Sequence, residues 1–415
     1  MKASSASATV AVLGAGIMGS SVALLLAGRN IRSVLIDAAP APFSRASRWN
    51  EGKIHLGYLY GADPSLATAR RLIPGGLKFK TLIERILGRP LRANEVTDHN
   101  DTVLIDRRSV VSADSAFAIA QRVSELTLEH SDASEYFVRL EDNQPRRLTR
   151  RELEGRYDCS DIVAGYEVPE RSVSTGLVAD SYLDVLASCA LIERAMNHRV
   201  HSVFKSNAGA GRWVVETVTP AGTKETLGPF DAVVNALWEG RGEIDASVGV
   251  VHSETWTHRF RVSLFARTTA PVDLKNTVIA VGPFGDLKNY DGRSLYLSWY
   301  ETGLLASGHE LRPPEVVPLR AADETRIADA TLDNLGTIIP RLRSLRSQIE
   351  SFEVRGGWVY ASGRGELSNP TSGLHRRDRI GLVWKDGYFS IDTGKYSMAP
   401  WIATQVVEAV KAYSG

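Results

Sequence analysis

The chain has 415 residues, more than one hydrophobic core usually organises, so two domains are expected. Its 43% hydrophobic and 23% charged content is ordinary for a soluble globular protein, and a net charge of +1 gives no basis for a nucleic-acid partner or an anionic membrane surface. No apolar run reaches the ~18 to 20 residues that span a bilayer, and two cysteines without a C-x-x-C, Cys159 and Cys189, suggest buried apolar fillers rather than a disulfide framework or a metal site.

MKASSASAT, at the start, has no separate apolar core or cleavage site and reads as a short disordered lead, so a cytoplasmic location is expected. Val10 to Leu13 then forms an apolar strand that stops at Gly14-Ala15-Gly16-Ile17-Met18-Gly19, a G-x-G-x-x-G at the turn from strand to helix. The first glycine permits the bend, the second lets a pyrophosphate approach the backbone, and the third lets the helix lie close to its strand. Ser20 to Ala27 continues as an apolar helix, and Ser33 to Ile36 gives a second strand ending on Asp37, where an acid can accept the ribose hydroxyls of an adenosine. The unit predicts a dinucleotide whose pyrophosphate sits on the helix N-terminus, at Gly14, Gly16, Ile17, Met18 and Gly19, with Asp37 and Ala38 at the adenosine. Asp37 would repel a 2′-phosphate and argues against NADP; NAD and FAD both remain.

Ala39-Pro40-Ala41-Pro42 turns the chain into a loop, followed by Ser44, Arg45, Ser47, Arg48 and Asn50, whose hydroxyl, guanidinium and amide groups suit phosphate oxygens. In Glu51-Gly52-Lys53-Ile54-His55-Leu56-Gly57-Tyr58, two glycines bracket a histidine in a strand-like run, which suggests close approach to a flat or bulky group. A Rossmann start followed by Ser-x-x-Asn-x-Gly-x-Ile-His-x-Gly resembles the FAD-dependent D-amino-acid oxidase superfamily, and Asn50 to Tyr60 with Asp63-Pro64-Ser65-Leu66-Ala67 is most similar to its 2-hydroxyglutarate and glycerol-phosphate oxidising branch. The resemblance implies that this loop passes over the flavin, with Ser47 and Asn50 near the pyrophosphate and His55 near the substrate. Arg45, Gly52, Lys53 and Ile54 join the expected cofactor contacts.

Helices are expected over Arg70 to Gly88, Ser115 to Glu129, Asp180 to Arg194 and Glu324 to Leu345, and surface helix and loop over Asp132 to Tyr157. Strands are expected at Thr102 to Asp106, Val200 to Phe204, Trp213 to Val218 and Phe230 to Leu237. By resemblance Val200 touches the adenine, and Asp231 to Ala236 matches the family's Asp-x-Val-Val-Asn-Ala. Leu237-Trp238-Glu239-Gly240-Arg241 departs from the family's Ala-Gly and moves the glycine turn to Gly240; Ala236 and Trp238 count as cofactor contacts.

From Val250 to Tyr300 the chain turns β-rich, with strands over Arg259 to Ala266, Asn276 to Val281 and Ser294 to Tyr300, which suits an antiparallel floor for a substrate domain carrying Tyr290, Tyr296, Trp299 and Tyr300. Short strands near Gly356, Gly381 and Gly387 lead through Asp392-Thr393-Gly394-Lys395-Tyr396-Ser397-Met398 into a helix from Ala399 to Ala412, with Pro400 in its first turn. The family places the flavin pyrimidine edge at this helix N-terminus, which makes Gly394, Lys395, Tyr396, Ser397 and Met398 expected contacts.

The fold expected is α/β: a Rossmann-type FAD-binding domain from discontinuous segments (1–85, 165–245 and 350–415) and an α+β substrate domain with an antiparallel sheet (86–164 and 246–349). The opening also resembles NAD-dependent 3-hydroxyacid dehydrogenases, which turn helical after their Rossmann domain; the β-rich stretch after Val250 favours FAD. With no cysteine near the expected ring, non-covalent FAD is expected. The superfamily's breadth implies hydride transfer from a CH–NH carbon of an amine or amino acid to flavin N5, with O2 or another electron acceptor, whereas the His55 loop implies a 2-hydroxy acid. Catalytic candidates are His55 as base, Lys395, Tyr300 and, for a substrate carboxylate, Arg376 in Leu374-His375-Arg376-Arg377-Asp378. No metal is expected, the partner is a small-molecule substrate, and nothing specifies the oligomeric state.

Overall fold

Val10, Val12 and Leu13 are fully buried on both faces of their strand, which is the condition of a central strand in a parallel sheet covered on both sides. In the computed structural model, which describes residues 9–206, 212–251 and 255–414, Thr9–Leu13 pairs in parallel with Arg32–Asp37 on one side and Ala232–Asn235 on the other. Residues 1–8 of the expected lead lie outside the described residues. The six-stranded sheet runs in the order Gly381–Lys385, Tyr388–Asp392, Ala232–Asn235, Thr9–Leu13, Arg32–Asp37, Ile192–Met196, so pieces from the start, middle and end of the chain build one surface. Helices Ile17–Ala27, Ala67–Leu87 and Ala399–Ser414 pack on one face through Val22, Leu26, Leu72, Ile402 and Val406. A three-stranded antiparallel sheet, Arg199–Lys205, Trp213–Val218 and Lys224–Phe230, covers the other through Val203, Trp213 and Phe230.

The second architecture is a nine-stranded sheet, mostly antiparallel, in which Trp256–Thr268 pairs with Leu304–Gly308, Ser294–Trp299 and the long strand Ile349–Ser362. Gly285–Asn289, Thr277–Ala280, Asp101–Asp106 and Ile162–Val168 continue it, Thr277–Ala280 and Asp101–Asp106 being parallel. Helix Ala321–Ile338 covers one face with Ile327, Leu332 and Leu335. This is the expected fold class: a Rossmann-type sheet of discontinuous segments beside an α+β part. The pairing of Ile349–Ser362 sets that stretch in the large sheet, although the sequence grouped 350–415 with the nucleotide-binding segments.

Several element boundaries differ from expectation for local reasons. The helix expected to Arg194 is Thr175–Ser188, because Ile192–Met196 gains a parallel ladder with Ser33–Asp37 that outweighs the helical spacing of Leu191. The helix expected to Leu345 stops at Ile338, before Pro340, and continues as a 3-10 turn. Phe230 to Leu237 divides at Asp231, whose carboxylate accepts the Thr9 N–H at 2.7 Å. Cys159 and Cys189 are half-buried rather than buried. Among the described residues no helix is long and apolar enough to cross a membrane.

The two sheets are fastened by four buried charges. Lys53 Nζ lies 2.5 Å from Asp101 Oδ2 and 3.2 Å from Glu170 Oε2, and Lys288 Nζ lies 2.6 Å from the same Asp101 oxygen. All four side chains are at most 2% exposed. Glu170 Oε1 accepts the N–H groups of Leu56 at 2.8 Å and Gly57 at 3.2 Å, so the loop carrying His55 is held by both ends of one carboxylate. Burial opposes the charge on Asp101, but Lys288 and Lys53 overcome it and hold the carboxyl well below its usual range. Replacing Asp101 by Asn leaves two buried ammonium groups short of charge, so Asp101→Asn is expected to lower unfolding free energy by about 3 to 5 kcal/mol in urea denaturation. A loss under about 1 kcal/mol would mean that the network carries little of the fold.

Candidate active site

A continuous cavity of about 1050 Å³ runs between the two sheets, from the glycine turn and Asp37 to the loop at Gly394. It is at the upper end of ordinary ligand pockets (~300 to 1,000 Å³), as a long ligand requires. At the nucleotide end Gly14 has φ +96, and a Cβ there would meet Ala236 O at 2.6 Å. A Cβ on Gly16 would meet Ser47 Oγ at 2.6 Å, and one on Gly19 would meet Gly14 O at 1.9 Å. The helix therefore starts against its strand with only glycine tolerated, and Ser47 Oγ accepts the Ile17 N–H at 2.9 Å. That N-terminus is a cradle for a pyrophosphate, and its residues fit the diphosphate of FAD.

Gly14, Gly16, Ile17, Met18, Asp37, Ala38, Arg45, Ser47, Asn50, Lys53, Val200, Ala236, Trp238, Gly394, Lys395 and Tyr396 all line the cavity. Gly19, Gly52, Ile54, Ser397 and Met398 do not: they stand behind its wall. Gly19 packs on Gly14; Gly52, at φ +62, presses on the Val173 carbonyl; Ile54 is core; Ser397 Oγ accepts the His55 N–H at 3.3 Å; Met398 fills the space above Gly75. Asp37 also does more than wait for a ribose. Its Oδ2 accepts the Ala15 N–H at 2.7 Å and its Oδ1 the Ala39 N–H at 2.8 Å, tying the glycine turn to the loop after the second strand. Asn50 shapes its own loop by donating to Ala46 O at 2.8 Å and accepting from Gly52 N at 2.9 Å. The Lys53 ammonium is taken by Asp101 and Glu170.

The displaced glycine turn is made differently from expectation. Gly240 has φ −86, an ordinary value, and Trp238 takes the left-handed conformation at φ +56. Its indole N–H donates to Trp358 O at 2.7 Å, and Asn235 Oδ1 accepts the Leu237 N–H at 3.2 Å, so side-chain bonds hold the turn that glycine makes elsewhere.

At the other end the floor comes from the large sheet. Alternation puts Arg259, Arg261 and Ser263 on one face of Trp256–Thr268, while Asp286 pairs across with Ser298, and all of these line the cavity with Tyr296 and Tyr300. Arg259 Nη1 donates to the Tyr300 hydroxyl at 3.0 Å, and the Arg261 guanidinium lies 4.6 Å from the Tyr300 ring centre. Ser298 donates its hydroxyl to Asp286, whose carboxyl is pushed up by burial and then by the negative charge of Glu51. Polar residues at alternating positions in a strand otherwise rich in Val, Leu and Phe were the available signal for Arg259 and Arg261, which sequence reasoning missed.

Opposite the floor stand His55, Glu51, Tyr60 and Lys395. His55 is 1% exposed, its Nε2 lies 3.9 Å from Glu51 Oε1, and its Nδ1 has no partner. Burial and then the Lys395 charge lower its pKa from 6.5 to about 4, so the imidazole is neutral at pH 7. Burial opposes ionisation of Glu51 too, but His55 and Lys395 overcome it and hold that carboxyl far below its usual range. Lys395 Nζ sits 5.7 Å from the Tyr60 ring centre. The arginine expected here, Arg376, is outside: its side chain is 48% exposed and forked onto Asp378 at 3.1 and 2.6 Å. Its neighbour Arg377 lines the cavity instead, with Nη1 donated to the Leu374 and Arg376 carbonyls and burial lowering its pKa to about 10. In an extended segment adjacent side chains point to opposite sides, so one arginine of the pair faces in and the other faces water.

No curated protein matches the sequence. Among solved structures, a glycine oxidase from Geobacillus kaustophilus is similar at 16% identity over 98% of this chain and 95% of its own, with a TM-score of 0.65. An L-alpha-glycerophosphate oxidase from Mycoplasma pneumoniae with FAD bound is similar at 14% identity, 98% and 95% coverage and a TM-score of 0.61. An L-proline dehydrogenase from P. horikoshii gives 12%, 98%, 94% and 0.60. At these identities the likeness is one of fold. The family model for FAD dependent oxidoreductases of the DAO type matches residues 9–390, which decides for FAD over the nicotinamide alternative. A cavity that begins on a dinucleotide turn and ends on a polar, water-shielded chamber is what such an enzyme needs, and by that match the chain belongs to the DAO family of FAD-dependent oxidoreductases.

Proposed function

We propose that the enzyme oxidises the CH–NH carbon of a small carboxylated amine or amino acid, with FAD bound without a covalent link. The observation that carries this is the polarity of the chamber: Arg259, Arg377 and the Tyr300 hydroxyl on one side, and the carboxyls of Glu51 and Asp286 on the other, complement a zwitterion. In this reading residues 1–85, 165–245 and 363–415 hold the cofactor and the rest of the chain, including Ile349–Ser362, holds the substrate. The backbone of Gly14, Gly16, Ile17 and Met18 with Ser47 would receive the diphosphate, Asp37, Ala38 and Val200 the adenosine, and Gly394 to Tyr396 the ring. Neither cysteine lines the cavity, which favours a dissociable cofactor.

Bound FAD supplies the acceptor for the hydride that leaves the donor carbon. The chain's own residues do the rest. Arg377 and Arg259 bind the carboxylate through charge-assisted bonds, and the Tyr300 hydroxyl, already accepting from Arg259, donates to it. This fixes the donor carbon against rotation and shifts part of the barrier into binding. The cationic wall and Lys395 favour loss of the ammonium proton, leaving the nitrogen lone pair to form the C=N bond as the hydride departs. O2 is the proposed acceptor of the electrons.

A second reading, oxidation of a 2-hydroxy acid, is favoured by His55. A buried neutral imidazole with Nδ1 unpartnered can take the hydroxyl proton while the C=O bond forms. An anaerobic substrate panel, followed by loss of visible flavin absorbance, separates the two: amino acids should bleach the flavin and 2-hydroxy acids should not, and the opposite result would replace the first reading by the second.

With a substrate identified, Arg377→Met is expected to raise KM by about tenfold to a hundredfold, and Arg376→Met by less than about threefold; the reverse order would restore the arginine expected from sequence. If the substrate proves to be a hydroxy acid, the acid limb of kcat/KM should fall near pH 4, because the depressed pKa keeps His55 able to accept a proton down to that value. A limb at 6 to 7 that disappears in His55→Gln would show an unshifted imidazole.

A further inference from the structure

The chamber holds one cation more than a monocarboxylate uses. Arg259 and Arg261 leave the same face of their strand two residues apart, about 7 Å along it, and both line the cavity with Arg377. Each of the two strand arginines has a buried Nε without a hydrogen-bond partner. No carboxylate of a described residue stands within 4.0 Å of any of the three guanidiniums. Asp286, the nearest acid on the floor, accepts from Ser298 and stops short of an ion pair with Arg261.

One carboxylate has two oxygens. Arg377 and Arg259 with the Tyr300 hydroxyl already offer more donors than those oxygens need, which leaves Arg261, packed on the opposite part of the Tyr300 ring, without a counter-charge. A half-buried guanidinium with an unused donor, aimed into a cavity that must admit a substrate, is a recognition element for a second anion.

We propose that the substrate carries two anionic groups, the first bound by Arg259, Arg377 and Tyr300 and the second by Arg261, so that a dicarboxylate, or a carboxylate bearing a phosphate, is preferred to a monocarboxylate. This rests on the reading of the chamber as the substrate site, and it predicts which acids enter irrespective of whether the reacting carbon bears nitrogen or oxygen. Glu51 and Asp286 limit where the second anion sits: both lie toward the Tyr296 side, so the preferred distal group is short.

The test measures equilibrium binding of unreactive acids to the FAD-loaded protein by calorimetry. Succinate should bind with a Kd at least about tenfold below that of butyrate, and Arg261→Met should bring the ratio to within about threefold, while Arg261→Lys, which keeps the charge, retains a clear preference. Melting temperature and flavin content show whether each variant is folded. 3-Phosphonopropionate binding tighter than succinate identifies the second group as phosphate-like, and weaker binding identifies it as a carboxylate. Equal Kd values for succinate and butyrate in the native protein, or a ratio that Arg261→Met leaves in place, overturn the proposal. Tight succinate binding with no bleaching by any amino or hydroxy acid would sink the redox reading but leave the dianion site standing; bleaching by monocarboxylic amino acids with no succinate preference would do the reverse.

Discussion

The structure depends on two lysines and two carboxylates that water does not reach. Lys53 comes from the loop after the Rossmann unit, Asp101 and Lys288 from the large sheet, and Glu170 from the strand end that leads back to the nucleotide-binding segments. Any one of these charges alone would cost several kcal/mol to bury, and together they are balanced two against two. The consequence is positional. The Glu170 carboxylate takes Lys53 on one oxygen and the Leu56 and Gly57 N–H groups on the other, and Tyr290 donates its hydroxyl to the Glu51 carbonyl at 3.1 Å, so residues 51 to 57 cannot shift against the sheet. Glu51 and His55 therefore face the arginine floor at a set distance, and the chamber exists because the two sheets are clamped there.

The same clamp explains the electrostatics. His55 is surrounded by burial and by Lys395, with Lys53 adding to the positive field, and these hold its ring neutral against the pull of Glu51 and Glu170. Glu51 keeps its negative charge for the converse reason, because His55 and Lys395 outweigh its burial. Cation-rich on the Arg259 and Arg377 side, acid-bearing on the Glu51 and Asp286 side, the chamber orients an anionic substrate before any chemistry begins. A neutral base next to a carboxylate is able to accept a proton without first losing one.

Much of the fold could be read from local pattern, because the nucleotide end is built from contiguous residues. The apolar run Val10 to Leu13, three glycines and Asp37 form one unit whose geometry is set by backbone sterics, and glycine positions where a Cβ strikes Ala236 O or Gly14 O announce themselves in the sequence. The substrate end was less legible because it depends on pairing between distant strands. Which of Arg376 and Arg377 faces inward is a matter of one residue of phase, and nothing local sets that phase. Arg259 and Arg261 looked like ordinary strand charges until Tyr300 and Ser298 were brought beside them by the sheet register. The end of the helix after Thr175 was missed because Leu191 keeps helical spacing while Ile192 is claimed by a parallel ladder 159 residues away from its partner Ser33. Trp238 in a left-handed conformation was equally hidden, since its support is the Trp358 carbonyl on another strand.

The central claim is that the glycine turn near the start of the chain and the Gly394 loop near its end serve one FAD whose ring faces the arginine floor. A crystal structure of the FAD-loaded protein tests this most directly. The account predicts diphosphate density on the N-terminus of helix Ile17–Ala27 and ring density in the chamber bounded by His55, Lys395, Arg259 and Tyr300. Ring density outside that chamber, or a nucleotide that leaves the Gly394 loop untouched, would contradict it.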